Sequence, residues 1–208
     1  MAQPATPRRR GPRSDAIANR ERVLAAAALA VKAGGEKVPM AEIAERAGVG
    51  VGTLYRHFPT RERLLAGLTY RSLGLALEHA RGAAAETGPA IESLRGFFER
   101  TIARRQELIL PLHGGPLILD EETERLRAEI RAALEEVLAR GRADGTVRAD
   151  VDAADIIVAG AQLAQPLPHV ADWDGVARRQ AQVVLAGLGA TGDARLPGRG
   201  RRRAAALR

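Results

Sequence analysis

Residues 40–58 read MAEIAERAGVGVGTLYRHF, and this stretch limits the fold more than any other. Met40, Ile43, Ala44 and Ala47 share one face of a short helix over residues 40–47. Gly48 then suits a left-handed turn. A second short helix, over residues 51–58, would bury Val51, Leu54 and Phe58 and leave Gly52, Thr53, Tyr55, Arg56 and His57 outside. Two short helices joined by a glycine turn make a helix-turn-helix. Ala44 must be small because the helices nearly touch there, and Val49 and Leu54 must be apolar to hold the second helix on the first. That second helix is the one such a motif lays in a DNA major groove, N-terminal residues against the base edges.

The outward residues have the chemistry for this. The Thr53 hydroxyl suits a phosphate, and Tyr55 suits a thymine methyl or, through its hydroxyl, a phosphate. His57 and Arg61 sit where phosphates would pass beyond the helix end. The candidate DNA-binding residues are therefore Gly50, Val51, Gly52, Thr53, Tyr55, Arg56, His57 and Arg61, with Arg8, Arg9 and Arg10 of the preceding arm. That arm, in RRRGPR, has two readings: cations that enter an A·T-rich minor groove, or a solubilising tail.

Charge supports a polyanion partner at this end. Residues 1–71 hold 13 Lys/Arg against 6 Asp/Glu, residues 72–196 hold 14 against 19, and residues 197–208 hold 5 against none. A basic head thus precedes an acidic body and a basic tail.

The rest of the chain is also helical by pattern. Aromatic residues are only 3%, so the core must be built from Ala, Leu, Val and Ile, which with Arg and Glu favours helices. Ser14 or Asp15 is expected to cap a first helix, which holds Ile17, Leu24, Leu29 and Val31 and stops at Gly34-Gly35. Thr60 caps a fourth, to about Gly82, with Leu64, Leu65, Leu68 and Leu75 as its stripe. Ile91, Leu94, Phe98 and Ile102 are in register on another. LILPLHGGPLIL is an irregular passage. Asp120 caps a long helix closed by Gly141 and Gly145, and Asp150 or Asp152 opens the next near Val151. The last begins around Trp173, and the count is about nine, with no strand-like alternation.

Other functions find little support. No cysteine is present, which excludes disulfides and thiolate metal sites and fits a reducing cytoplasm. The N-terminal residues lack the apolar stretch of a secretory signal, and no segment is a membrane span. His57, His79, His113 and His169 have no partner at metal-ligand spacing, and no GxSxG or phosphate-cradling loop occurs. Neither metal, cofactor nor enzyme activity is expected.

The segment MAEIAERAGVGVGTLYRHFPTRERLLAGL, preceded by RERVLAAAALAVKAGG, resembles the TetR family of bacterial transcriptional regulators over roughly residues 16–68. Two positions depart from the family pattern: Pro39 and Gly50 stand where a Ser or Thr is common, so two hydroxyls for phosphate are lost. The resemblance implies an all-α protomer with an N-terminal three-helix DNA-binding domain and a larger helical ligand-binding and dimerisation domain. On this chain that means a basic arm over residues 1–13, the head over 14–60, the effector and dimer domain over 61–190 and a flexible tail over 191–208. It further implies a homodimer on double-stranded DNA, at a palindromic operator, released by a small apolar effector. Candidate effector residues are Phe98, Ile102, Leu112, His113, Leu117, Leu138 and Gln162. Candidate dimer contacts are Ile156, Ile157, Leu163, Val183, Val184 and Leu188. The alternatives are an effector-independent nucleoid or architectural protein, favoured by the basic arm and tail, and an enzyme or carrier using the inner cavity, disfavoured by Arg56, His57 and Arg61.

Overall fold

The computed structural model describes residues 12–109, 117–189 and 196. Arg8, Arg9, Arg10, Leu112, His113 and nearly all of the basic tail lie outside them. The described residues form eight α-helices and no strand: α1 Pro12–Gly34, α2 Met40–Arg46, α3 Val51–His57, α4 Arg61–Ala85, α5 Ala90–Ala103, α6 Glu121–Ala143, α7 Ala153–Leu163 and α8 Trp173–Leu188. A 3-10 turn, Arg105–Glu107, follows α5. The all-α expectation holds, with eight helices against about nine.

Helix ends follow local chemistry. The Asp120 carboxylate accepts from the Thr123 amide at 2.9 Å while the Thr123 hydroxyl accepts from the Asp120 amide at 3.1 Å, a reciprocal cap. Asp152 caps α7 in the same way with Asp155. Thr60 accepts from the Arg63 amide at the start of α4. α1 begins at Pro12, ahead of Ser14 and Asp15, because proline's fixed φ and missing N–H suit a first helical position.

Two apolar cores result, and α4 runs through both. The first gathers Val23, Leu24 and Ala27 of α1, Ile43 of α2, Leu54 of α3 and Leu64, Leu65 and Leu68 of α4. Each fully buried leucine here contributes about 1.5–3 kcal/mol. Ile17 and Leu29 of α1 are exposed instead. The second core joins Leu73 and Leu77 of α4 to Phe97, Phe98, Ile102, Leu134, Leu138, Ile156 and Leu185.

The 3-10 turn after α5 straps the two together. The Lys32 ammonium of α1 donates to the Arg105 carbonyl, and burial, with Arg105 nearby, pushes its pKa down to about 8. Arg105 pairs with Asp174 of α8 at 2.6 Å. Arg71 of α4 pairs with Glu107 at 2.5 Å and Glu21 at 3.4 Å. The Ser72 hydroxyl donates to the Leu68 carbonyl and accepts from the Ile109 amide, both at 2.8 Å, and Ile109 is buried in the first core.

Gly141 of α6 shows how tightly the second core closes. A Cβ there would stand 2.5 Å from Val147 Cγ2 and 2.9 Å from Ala90 Cβ. Gly141→Ala should therefore cost about 1–3 kcal/mol of overpacking, more than the roughly 0.5–1 kcal/mol that alanine gains in a helix. Urea unfolding should show a lower midpoint; an unchanged or higher midpoint would refute this packing.

Candidate nucleic-acid interface

The head is built to present α3. α2 ends at Ala47, and Gly48 adopts φ 64°. The Gly48 amide donates to the Glu45 carbonyl and the Val49 amide to the Ala44 carbonyl, both at 3.0 Å, the paired bonds of a left-handed helix stop. The chain then re-enters a helix at Val51, with Gly50 as N-cap in extended conformation and no side-chain cap. Only Leu54 of α3 is buried, and Phe58 follows it into the core. Arg20 of α1 lies over the Phe58 ring, 5.3 Å from its centroid. Gly67 of α4 faces the same ring, where a Cβ would stand 3.0 Å from Phe58 Cε1 and 3.2 Å from Leu24 Cδ2, a close approach of α4 to α3's end.

The outer face of α3 is unpartnered in the protomer. Tyr55 is 45% exposed, and Gly52 and Arg56 are exposed beside it. Thr53 and His57 are half-buried, and Arg56 Nη2 donates to Thr53 Oγ1 at 3.3 Å. Val51, expected inside, is 43% exposed: at the first helical position it joins the outward face. Arg61 is already engaged within the protomer. Its Nη1 donates to the Glu36 and Val38 carbonyls, each at 2.7 Å, fastening the α1–α2 loop to the start of α4.

The larger unit shows where the other candidates fall. Phe98, Ile102 and Leu138 are fully buried in the second core. Leu117 is 64% exposed, just before the Asp120 cap, so it lines no interior. Gln162 is exposed beside an open hollow of about 290 Å³ that Ala161, Gln165, Leu167 and Trp173 also line. Of the dimer candidates, Ile156, Leu163 and Leu188 belong to the protomer's own core, because the buried stripes of α7 and α8 face α5 and each other. Val183 is 61% exposed and Ile157 and Val184 half-buried. Val158 of α7 and Val176 of α8 are exposed apolar residues that sequence reasoning missed. Val176 sits seven residues before Val183, a spacing that was available as a signal.

One buried polar group stands out. His79 of α4 is 2% exposed. Burial, assisted by Arg104 and Arg100 and opposed by Glu78 and Glu107, pushes its imidazolium pKa down to about 4. Among the described residues no three acidic or histidine groups converge to hold a metal ion, and no helix is long and apolar enough to cross a membrane.

Two short helices joined at a left-handed glycine, the second with an exposed face, have the geometry of a helix-turn-helix, the motif of DNA-binding proteins. Comparison with known proteins agrees. Residues 23–68 match the bacterial regulatory proteins of the tetR family, and residues 91–190 match the SbtR-like transcriptional regulator C-terminal domain. The TetR transcription regulatory protein of Mycobacterium vanbaalenii is 36% identical, with 86% of this chain and 99% of that one covered and a TM-score of 0.63. The regulator SCO0520 of Streptomyces coelicolor is 30% identical, covering 83% and 99%, with a TM-score of 0.59. The transcriptional repressor KstR of Mycobacterium tuberculosis is 28% identical over 130 residues, and that of Rhodococcus jostii 53% over 53 residues. Those matches cover 61% and 25% of this chain, and it spans 59% and 25% of the two curated relatives. The chain belongs to the TetR family of bacterial transcriptional regulators.

Two outcomes test this geometry. A Cβ on Gly52 would meet nothing within 4 Å, so the protomer itself has no need of glycine there. Gly52→Ala should stabilise the protein by about 0.5–1 kcal/mol yet weaken DNA binding if α3 is the helix laid in the groove, since the added methyl would then meet a base edge or phosphate. A variant that is more stable and binds DNA unchanged would place the DNA elsewhere. The second outcome concerns pH. The unfolded chain holds its proton on His79 below about pH 6.5 while the folded chain refuses it down to about 4. Stability therefore stands in full above pH 6.5 and declines as the pH falls toward 4, by roughly 3 kcal/mol at most. His79→Gln should flatten that part of the curve in denaturant titrations at pH 7, 5.5 and 4.5; an unaltered slope would show that this imidazole is not held neutral.

Proposed function

We propose that this regulator is a dimeric repressor that reads a palindromic operator and lets go when a small apolar molecule binds its larger unit. The observation that carries the reading is the α3 face: Val51, Gly52, Tyr55 and Arg56 are exposed together on the short helix that follows the Gly48 turn. Two such heads related by a two-fold axis would meet successive major grooves about one helical turn apart. The basic balance of residues 1–71 supplies attraction to the phosphates, and Arg56 and His57 are the near cations. The KstR relatives are repressors, which supports the sign of regulation.

Dimerisation fits the exposed apolar face of α7 and α8. Val158, Val176 and Val183 face solvent, and Gly187, one turn beyond Val183, has open space where its Cβ would be. A second α7–α8 pair could approach closely there and bury these valines. Release follows from α4, which belongs to both cores. A ligand that prefers the state with displaced heads by a few kcal/mol would shift occupancy.

The test is selection of bound sequences from a random DNA pool at near-physiological salt with the full-length protein. The expected result is a palindrome with half-sites about one helical turn apart. Tyr55→Ala should then lower operator affinity while sedimentation still shows a dimer. Recovery of no motif, with binding that vanishes as salt rises, would overturn the operator reading in favour of an architectural role.

A further inference from the structure

His79 leaves a hydrogen-bond acceptor without a donor in the interior of the larger unit. Its Nδ1 lies 3.3 Å from the Thr101 hydroxyl oxygen. Thr101 already donates to the Phe97 carbonyl at 2.8 Å, and a hydroxyl has one proton. Thr101 must therefore accept from Nδ1–H, which fixes the tautomer and leaves Nε2 as a bare lone pair. Nε2 is buried and has no partner among the described residues. An acceptor so placed costs free energy until something donates to it.

The surroundings state what that donor can be attached to. Leu75, four residues earlier on the same face of α4, packs with Leu108 and Ala164 in a small apolar cluster apart from the main core. The cations nearby are held in ion pairs, Arg100 with Glu86 at 3.0 Å and Arg104 with Glu107 at 2.8 Å, and Arg100 Nε is a second buried polar atom without a partner. A bare imidazole lone pair has no proton to give a carboxylate. A donor on an apolar body suits it.

We infer that His79 is the polar anchor of the effector site, and that the effector is a neutral, apolar alcohol or phenol whose hydroxyl donates to His79 Nε2. The inference rests on the ligand-released reading above and narrows it to a chemical class. It also places the ligand's polar end against α4, the helix that carries the head.

The experiment uses full-length protein labelled with ¹⁵N-histidine, with the His79 resonances assigned through His79→Gln. The ligand-free spectrum should show a proton on Nδ1 and none on Nε2. Pairs of probes are then added, each hydroxyl compound beside its own methyl ether: 1-naphthol and 1-methoxynaphthalene, 4-hexylphenol and its anisole, 1-decanol and decyl methyl ether. The expected result is that at least one hydroxyl compound shifts the Nε2 resonance and releases the selected operator, its ether being about tenfold or more weaker. His79→Phe should abolish that discrimination; the ether comparison stands on the natural protein if the variant does not fold. A proton found on Nε2 without ligand, or ethers equal to their alcohols, would overturn the inference. So would operator release with no change at Nε2, while leaving ligand release itself standing. If no probe releases the operator, the ligand-released reading fails for this class and the inference fails with it.

Discussion

The structure depends on α4 being a single unbroken helix shared by two cores. Leu64, Leu65 and Leu68 close the first, and Leu73 and Leu77 open the second only a turn later. No proline interrupts the helix between them, and the backbone hydrogen bonds of a helix resist bending. A displacement at one end of α4 must therefore be taken up at the other, or by the contacts around it. α4 packs most extensively against α6 and α5, and the strap at Arg105–Glu107 adds polar ties. The strap holds α1 through Lys32, α4 through Arg71 and Ser72, and α8 through Asp174.

The same economy explains what is left exposed. The head buries Leu54 and Phe58 and fixes its loops with backbone bonds and the Arg61 fork, so Tyr55 and Val51 have no role inside. An exposed valine on a helix that also carries an open glycine makes sense against a surface brought close from outside. On the larger unit Val158, Val176 and Val183 follow the same logic toward another protein surface. Gly141 is the opposite case, a glycine that its own neighbours require.

How much was legible depended on how local each cause is. The helix-turn-helix could be read because its determinants lie within twenty residues: Ala44 small, Gly48 left-handed, Val49 and Leu54 apolar, Thr60 capping. Asp120 and Asp152 as caps were legible for the same reason. The dimer candidates were harder. Ile156, Leu163 and Leu188 share helical spacing with the exposed valines, and periodicity marks an apolar face without saying whether it meets α5 or a second chain. Leu117 looked like pocket lining by composition and lies outside, since its place depends on where α6 starts.

By itself, then, the amino-acid sequence determined the all-helical class, the Thr60, Asp120 and Asp152 caps and the helix-turn-helix segment, because propensity, capping and turn chemistry act over a few residues. Only the tertiary structure decided that Arg61 holds the α1–α2 loop, that Val51 faces outward and that His79 is enclosed against Thr101. Each of those depends on residues 22 to 25 positions away or on the angle at which helices cross. Such distances are set by how whole faces pack, and no local pattern records them.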